Sequence, residues 1–414
     1  QQTALNLKAT IVSPTFTGTV GGITKTMVGL GNVDNTADIF TESNSVAVYD
    51  GGLTLGVGNE SAADGTIRVK DGNLEFRIGG AWQKIAFQSQ ILSLLPLYDF
   101  TTHTFTPCGS VGQDGPSLSM CRATYTSDWS ANNDYFNMTT NGYQEWTVPD
   151  KGFYKIQVSG AKGGDTEGSD GLKTGGNGVQ LYATFELDKS QIIIIIVGQK
   201  GIKGSGNSFA SGSGAGGTFV WVKDSALPLI VAGGGGGGGV HTDNNDMRGS
   251  DGMDAVYFTY GTAAGGWYNA DGGTDGNGGG QEGKGDDLGV DAHGGAGGGW
   301  LSKGWSKYSS PNPTGGKKIK NGTAQGGVSM GAYSSIVGDG GFGGGGGSGL
   351  AGGGGGGYSG GGAGTSVSDP SYPGTHKKRC NGGGGGGSYT NSVGTDQNND
   401  GYSYGDGQVI ITKL

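Results

Sequence analysis

The sequence is poor in charge, cysteine, histidine, proline and long apolar runs, and each shortage removes a class of function. Only 15% of the 414 residues are charged and the formal net charge is −9. A protein that grips duplex nucleic acid or an acidic membrane surface carries a basic excess, so no nucleic-acid partner is expected. No apolar stretch approaches the ~20 residues of a bilayer-crossing helix. The longest aliphatic run, Ile192 to Val197, is the length of one buried strand. Three cysteines, Cys108, Cys121 and Cys380, are too few for a disulfide-rich scaffold. The four histidines, His103, His241, His293 and His376, are scattered rather than clustered at zinc-ligand spacing. No metal and no cofactor is therefore expected. Ten prolines, and glycine in consecutive runs rather than at every third position, exclude collagen. No nucleophile–base constellation or glycosidase-like carboxylate pair stands out, so the chain reads as non-enzymatic. A polysaccharide depolymerase is the enzymatic alternative, but it wants a long strand-rich β-helix, which the glycine tracts oppose.

Glycine, by contrast, is abundant. The chain has 97, of which only 18 precede residue 159. It also has 17 Tyr and 7 Trp, too many for an inert linker. The chain divides into three regions. Residues 1–47 are short, polar and β-like, with too few apolar side chains for a core of their own. Residues 48–98 form a small β-domain and an apolar connector. Its strands (Val46 to Tyr49, Leu53 to Val57, Thr66 to Val69, Leu74 to Ile78, Trp82 to Ile85) are separated by Asp50-Gly51, Asp64-Gly65, Asp71-Gly72 and Gly79-Gly80, which is hairpin chemistry. Residues 99–414 carry the glycine-rich domain.

In that domain Tyr154, Ile156 and Val158 alternate on one strand face, as do Val179, Leu181, Ala183, Phe185 and Leu187. Ile192 to Val197 reads as a strand buried on both faces. Phe219 to Val222, Leu227 to Val231 and Val409 to Ile411 add further strands, giving an antiparallel β-sandwich in outline. An insertion at about 232–407 holds the tracts Gly233 to Gly239, Gly343 to Gly347, Gly352 to Gly357 and Gly382 to Gly387. One reading is a flexible linker. The other is polyglycine II, an extended helix with three residues per turn and ~3.1 Å rise, packed side by side so that neighbours satisfy each other's N–H and C=O groups. Even tract lengths and flanking anchors (Val231-Ala232, Phe342, Leu350-Ala351, Tyr358, Tyr389) favour the ordered form. The chain begins at Gln1, which reads as a processed piece of something longer.

Ordered motifs carry a resemblance. They are His103 to Ser110, Gly115-Pro116-Ser117, Cys121, Trp146 to Pro149, Gly160 to Gly164, Val197 to Gly201 and Pro228 to Gly233. Residues 99–414 thereby resemble the glycine-rich extracellular domain of the anaplastic lymphoma and leukocyte tyrosine kinase receptors. The resemblance implies a tumour-necrosis-factor-like β-sandwich with an inserted bundle of polyglycine II helices, and a Cys108–Cys121 disulfide. Cys380 is then left as a free thiol.

The N-terminal region is similar instead to bacteriophage tail fibres. Thr3 to Ala9, Ser13 to Val20 and Val28 to Thr36 resemble their shaft repeats, and Phe76 to Lys84 their short β-domains. The expected fold is all-β: a short trimeric fibre shaft followed by the glycine-rich sandwich. The expected role is a virion tail fibre or adhesin, extracellular, attaching a phage to a host surface glycan or outer-membrane protein. Other virion tail or capsid proteins would hold its N-terminus. As a homotrimer it would bury Leu5, Leu7, Phe16, Val20, Val28, Leu30, Trp82, Ile91 and Leu95 between chains. The alternatives are a decoration fibre without a receptor, and a secreted receptor-type ectodomain binding a protein ligand, with Asn59, Asn137 and Asn321 as glycosylation sites.

Sharper motifs weaken on inspection. Gly278-xxxx-Gly283-Lys284 imitates a phosphate loop but ends in Gly285 instead of Ser or Thr. Asp286, Asp287 and Asp291 lack the period of calcium-binding nonapeptides. The segments between tracts are more informative. If loops at 261–271, 299–313 and 366–381 share the outer end of the bundle, then Trp267, Tyr268, Trp300, Trp305, Tyr308, Tyr372, His376, Lys377 and Arg379 are candidate receptor contacts. Otherwise the aromatics staple the bundle. Lys377 to Arg379 forms a local positive patch in an acidic chain, suited to an anionic glycan.

Overall fold

The structure is a computed structural model. It describes residues 47–49, 52–54, 67–70, 73–84, 95–168, 171–204, 211–239, 247–265, 270–280, 294–306, 313–330, 338–368 and 378–414. The chain divides into two compact units, Gln1–Leu95 and Pro96–Leu414. Its regular structure is all-β, save one short helix and one 3-10 turn among the described residues.

The first unit is built from hairpins. β1 (Ala47–Tyr49) pairs with β2 (Gly52–Thr54) across Asp50-Gly51. β3 (Ile67–Lys70), β4 (Asn73–Ile78) and β5 (Ala81–Lys84) form an antiparallel meander. The β4–β5 turn, Gly79-Gly80, has φ of +58° and +76°, the left-handed pair that a tight two-residue hairpin requires. Ile78 and Leu95 are exposed, while Trp82 is half-buried with Arg77 5.6 Å from its ring. Of the residues expected between chains, Leu5, Leu7, Phe16, Val20, Val28, Leu30 and Ile91 lie outside the described residues.

The second unit has two large antiparallel sheets, with a two-stranded pair and a small three-stranded sheet beside them among the described residues. Its strands are β6 (Thr102–Phe105), β7 (Phe136–Asn137), β8 (Gln144–Thr147), β9 (Gly152–Ser159), β10 (Thr166–Gly168), β11 (Gly171–Lys173), β12 (Gly178–Leu187), β13 (Ile192–Ile196), β14 (Thr218–Val222) and β15 (Ile230–Ala232). Next along the chain come β16 (Met247–Gly249), β17 (Ser366–Ser368), β18 (Lys378–Cys380), β19 (Tyr389–Thr390), β20 (Thr395–Ser403) and β21 (Gln408–Lys413). One large sheet has the order β20-β12-β9-β21-β6 and the other β19-β15-β14-β13-β8-β7; the pair is β10-β11 and the small sheet β16-β18-β17. Their facing residues share one core: Tyr154, Ile156 and Val158 from β9, Val179 to Leu187 from β12, Ile193 and Ile195 from β13, and Val409 and Ile411 from β21.

β13 lacks polar alternation because both its faces are covered. Ile193 and Ile195 enter the shared core. Ile194 and Ile196 enter a second cluster with Phe219, Trp221, Trp300, Ile319 and Phe342. The helix α1 (Leu118–Thr124) starts at Ser117, whose hydroxyl accepts the Met120 N–H. Its Cys121 is joined to Cys108 by a disulfide with Cα atoms 5.0 Å apart. Cys380 is a buried thiol 3.7 Å from Ser366 Oγ.

The glycine tracts have no conventional sheet or helix, yet their backbone is bonded at nearly every position. Along Gly234 to Gly239 the N–H groups donate to Gly356, Ala161, Met253, Gly353, Gly164 and Ser250 in turn, at 2.8–3.0 Å. Partners recur every third residue: 234 and 237 meet 356 and 353, 235 and 238 meet 161 and 164, 236 and 239 meet 253 and 250. The carbonyls of Gly233 to Gly238 accept from Val179, Gly386, Ala215, Gly176, Gly383 and Gly212, again in threes. This one tract thus lies among six neighbouring segments. Gly352 to Gly357 repeats the pattern, donating to Asn381, Gly212, Gly295, Gly384, Ala215 and Gly298. A period of three with lateral rather than internal bonds sets the tracts apart from both an α-helix and a β-ladder.

The sequence-based boundaries need correction in three places. The insertion ends by Ser388 rather than 407, because β19 and β20 rejoin the two sheets. The array also recruits residues outside it, at 161–164, 175–178 and 211–217. The strand expected at Leu227 to Val231 starts only at Ile230, with Leu227 exposed.

Candidate functional site

The array has two ends. At one, Gly233 succeeds β15 and its N–H donates to Ser388 Oγ (3.1 Å), next to β19. Tyr358 donates to Gly387 O and Trp300 to Tyr358 O at this same end. It is seated on the six-stranded sheet, where Trp300 lies against Phe219 and Trp221.

At the other end, Gly239 donates to Ser250 O, Gly265 to Gly382 O, Gly294 to Gly364 O and Asn381 to Thr365 O. Gly212 donates to Gly238 O, and Ser211 Oγ to Leu350 O (2.6 Å). These are residues beside the segments 205–210, 240–246, 266–269, 281–293 and 369–377. Segment after segment therefore leaves the array through one face, away from the sheets. There β18 runs between β16 (parallel) and β17 (antiparallel). Arg379 is in register with Arg248, and Lys378 with Met247. The juxtaposition of Arg248 and Arg379 was not legible in sequence, since 131 positions separate them and parallel pairing leaves no local pattern.

Carboxylates hold the array rather than stand free. Asp251 Oδ1 accepts the Thr174 N–H (2.7 Å) and Asp254 Oδ1 the Asn177 N–H (2.6 Å). Asp165 accepts the Gly175 N–H (2.8 Å) and pairs with Lys162. Burial alone would raise the Asp165 carboxyl, but Lys162 and the Gly175 N–H together hold it below the ordinary carboxylate value. Glu145 behaves alike: burial opposes its charge, and Thr139 and Lys223, the latter 3.0 Å away, outweigh it. Among the described residues no group of three or more His, Cys, Asp or Glu could hold a metal ion.

The expected contact residues fall in different places. Trp300 is fully buried and its indole Nε1 donates to Ala226 O (3.2 Å). It staples the array to the sheet, a correction with a simple cause: the segment Gly294 to Gly299 runs toward the sheet, so the residue at its end cannot stand at the outer face. Trp305 is half-buried within the array, its N–H donating to Gly279 O and its carbonyl accepting from Ala296. Arg379 has its backbone in β18. Trp267, Tyr268, Tyr308, Tyr372, His376 and Lys377 lie outside the described residues.

No protein-family model matches the chain. It is similar to the mouse leukocyte tyrosine kinase receptor, with 34% identity over 97 residues. That stretch is 23% of this chain and 11% of the receptor, so the chain spans about a tenth of that relative's length. No described helix is long and apolar enough to cross a membrane.

Proposed function

We propose that the chain is the distal part of a non-enzymatic attachment fibre of a bacteriophage virion. Its glycine array acts as a rigid scaffold that holds loops out toward a host surface glycan or outer-membrane protein. Residues 1–98 would trimerise and join other virion tail or capsid proteins. The head would be a tumour-necrosis-factor-like sandwich whose inserted tracts are polyglycine II helices. What supports this reading is the convergence of the segments flanking 205–210, 240–246, 266–269 and 369–377 on one face of the array. Polyglycine has no side chains with which to discriminate partners, so specificity falls to the loops. Trp267, Tyr268, Tyr308, Tyr372, His376, Lys377 and Arg379 remain the contacts of this reading. A second reading, a secreted ectodomain that binds a protein ligand, draws on the partial receptor similarity. It would place glycans at sites such as Asn321, which is exposed.

The test offers labelled whole chain to a panel of bacterial strains and measures bound protein by flow cytometry, with native mass spectrometry alongside. The attachment reading expects a three-chain mass and binding to at least one strain. Replacing Trp267, Tyr268 and Tyr372 together with Ala should reduce that binding at least tenfold. A monomer that binds no strain contradicts it, and glycans on Asn321 in the native protein favour the ectodomain.

A further inference from the structure

A cleft of about 550 Å³ opens where the array meets the sheets, at the end opposite the loop-bearing face. One wall is the segment Tyr257 to Tyr260. The other is β20, an edge strand bonded only to β12 among the described strands. The floor is Ser388 to Thr390.

The cleft has three unusual properties. First, it carries open aromatic rings. Phe258 and Tyr260 are 61% and 47% exposed, and their rings lie parallel, 3° apart in plane with centroids 5.3 Å apart. Second, the facing wall is amide-rich. Asn399 is in register with Leu181 and so shares the inward face of its sheet, yet it is exposed. Beside it Gln397 donates through Nε2 to Gly394 O (2.7 Å) and Asn391 O (3.1 Å), which leaves its side-chain oxygen to accept. Third, the described residues of the lining include no Lys, Arg, Asp or Glu.

The walls are also fixed in place. Tyr257 OH donates to Gly401 O (2.6 Å), tying the aromatic wall to β20. Ser388 N donates to Phe258 O (2.7 Å), and Ser359 Oγ donates to Thr259 O. Aromatic rings left in water on a braced backbone are poor for folding and good for binding, because little ordering remains to be done when a ligand arrives.

We propose that this cleft is a carbohydrate-binding site for a neutral oligosaccharide of two or three sugar rings. The aliphatic C–H face of a pyranose carries slight positive charge and stacks on the negative face of an aromatic ring. The Asn399 amide both donates and accepts and the Gln397 side-chain oxygen accepts, so hydroxyls of either sense can be matched. With no cation among the described lining residues, an anionic sugar would find no ion-pair partner there to offset its desolvation. The volume lies within the roughly 300–1,000 Å³ typical of small-ligand sites. The site rests on side chains remote from the loops, so it stands or falls apart from the attachment reading.

Affinity electrophoresis of the whole chain through gels containing mannan, dextran, laminarin or the anionic alginate tests it. Retardation by at least one neutral polysaccharide and not by alginate is expected. Phe258→Ala and Tyr260→Ala should each lower the retardation at least fivefold, with unchanged melting temperature, since both rings are exposed. Asn399→Ala should lower it too. Retardation by none of the neutral polysaccharides overturns the proposal, as does retardation that both aromatic variants retain. Concentration-dependent dimerisation that Tyr260→Ala abolishes, without glycan retardation, would assign the cleft to a second copy of the chain and overturn it equally.

Discussion

Gly355 donates to Gly384 O and accepts from Gly361, each at 2.8 Å, and a Cβ placed on it would overlap the carbonyl oxygen of Gly234. Backbone stands where a side chain would go, so nothing flexible can give way. Gly355→Ala should therefore cost more than about 4 kcal/mol, at the extreme end of single substitutions. Gly405 supplies the control, because its Cβ would meet nothing within 4 Å and its φ is not left-handed. Gly405→Ala should change stability by about 0.5 kcal/mol or less in chemical denaturation. Similar losses for both variants would contradict a close-packed array.

His103 gives the fold a pH dependence. Its ring lies edge-on to Phe105, Tyr125 and Trp129, at 4.6–4.8 Å, and burial pushes its pKa down to about 4. The unfolded chain binds this proton near the ordinary histidine value of about 6.5. The contribution of neutral His103 is thus complete above about pH 6.5 and is lost as pH falls toward 4. Melting temperature should drop between about pH 7 and pH 5, and His103→Phe should shrink that drop. An equal drop in the variant would place the titration elsewhere.

At the scale of elements, legibility in the sequence depended on whether an element buries one face against a contrasting one. β9 and β12 alternate because one face meets the core, and they were legible from Tyr154, Ile156 and Val158 and from Val179 to Leu187. β13 was legible as a continuous run because both faces are covered. β20, with Asp396, Gln397, Asn398, Asn399 and Asp400, was not. It is a solvent-exposed edge strand that needs no apolar partner face. The segments at 161–164 and 211–217 carry no sequence sign of joining the array either. A period of three in which every position is small leaves no contrast to read. Trp300 was legible as an aromatic anchor but not in its direction, since only the course of Gly294 to Gly299 shows that it meets the sheet. Trp300→Ala should cost about 3–5 kcal/mol, the usual range for a buried indole. Binding to cells per folded molecule should stay unchanged. A loss of binding with stability intact would return Trp300 to the receptor contacts.

Across the whole molecule, the glycine-rich unit solves an unusual problem. Each ordered glycine gives up about 1–2 kcal/mol of backbone entropy or more, and buries almost no side chain in return. The compensation is collective: each tract is bonded on all sides to others, so none is stable without its neighbours. The sheets seed this arrangement through Ala232-Gly233 and Gly387-Ser388, where strands pass directly into tracts. The second cluster around Trp300 and Phe342 fastens it from beneath.

Hydrogen–deuterium exchange resolved to the tracts Gly233 to Gly239, Gly352 to Gly357 and Gly382 to Gly387 decides whether they are scaffold or linker. Every N–H in the first of these is bonded at 2.8–3.1 Å to a specific neighbour. The tracts should be as protected as β9 and β13 and should open together with them, in one cooperative unit. Exchange of the tracts at the rate of an unstructured chain, while β9 and β13 stay protected, would contradict the ordered array and with it the presentation of loops from a rigid head.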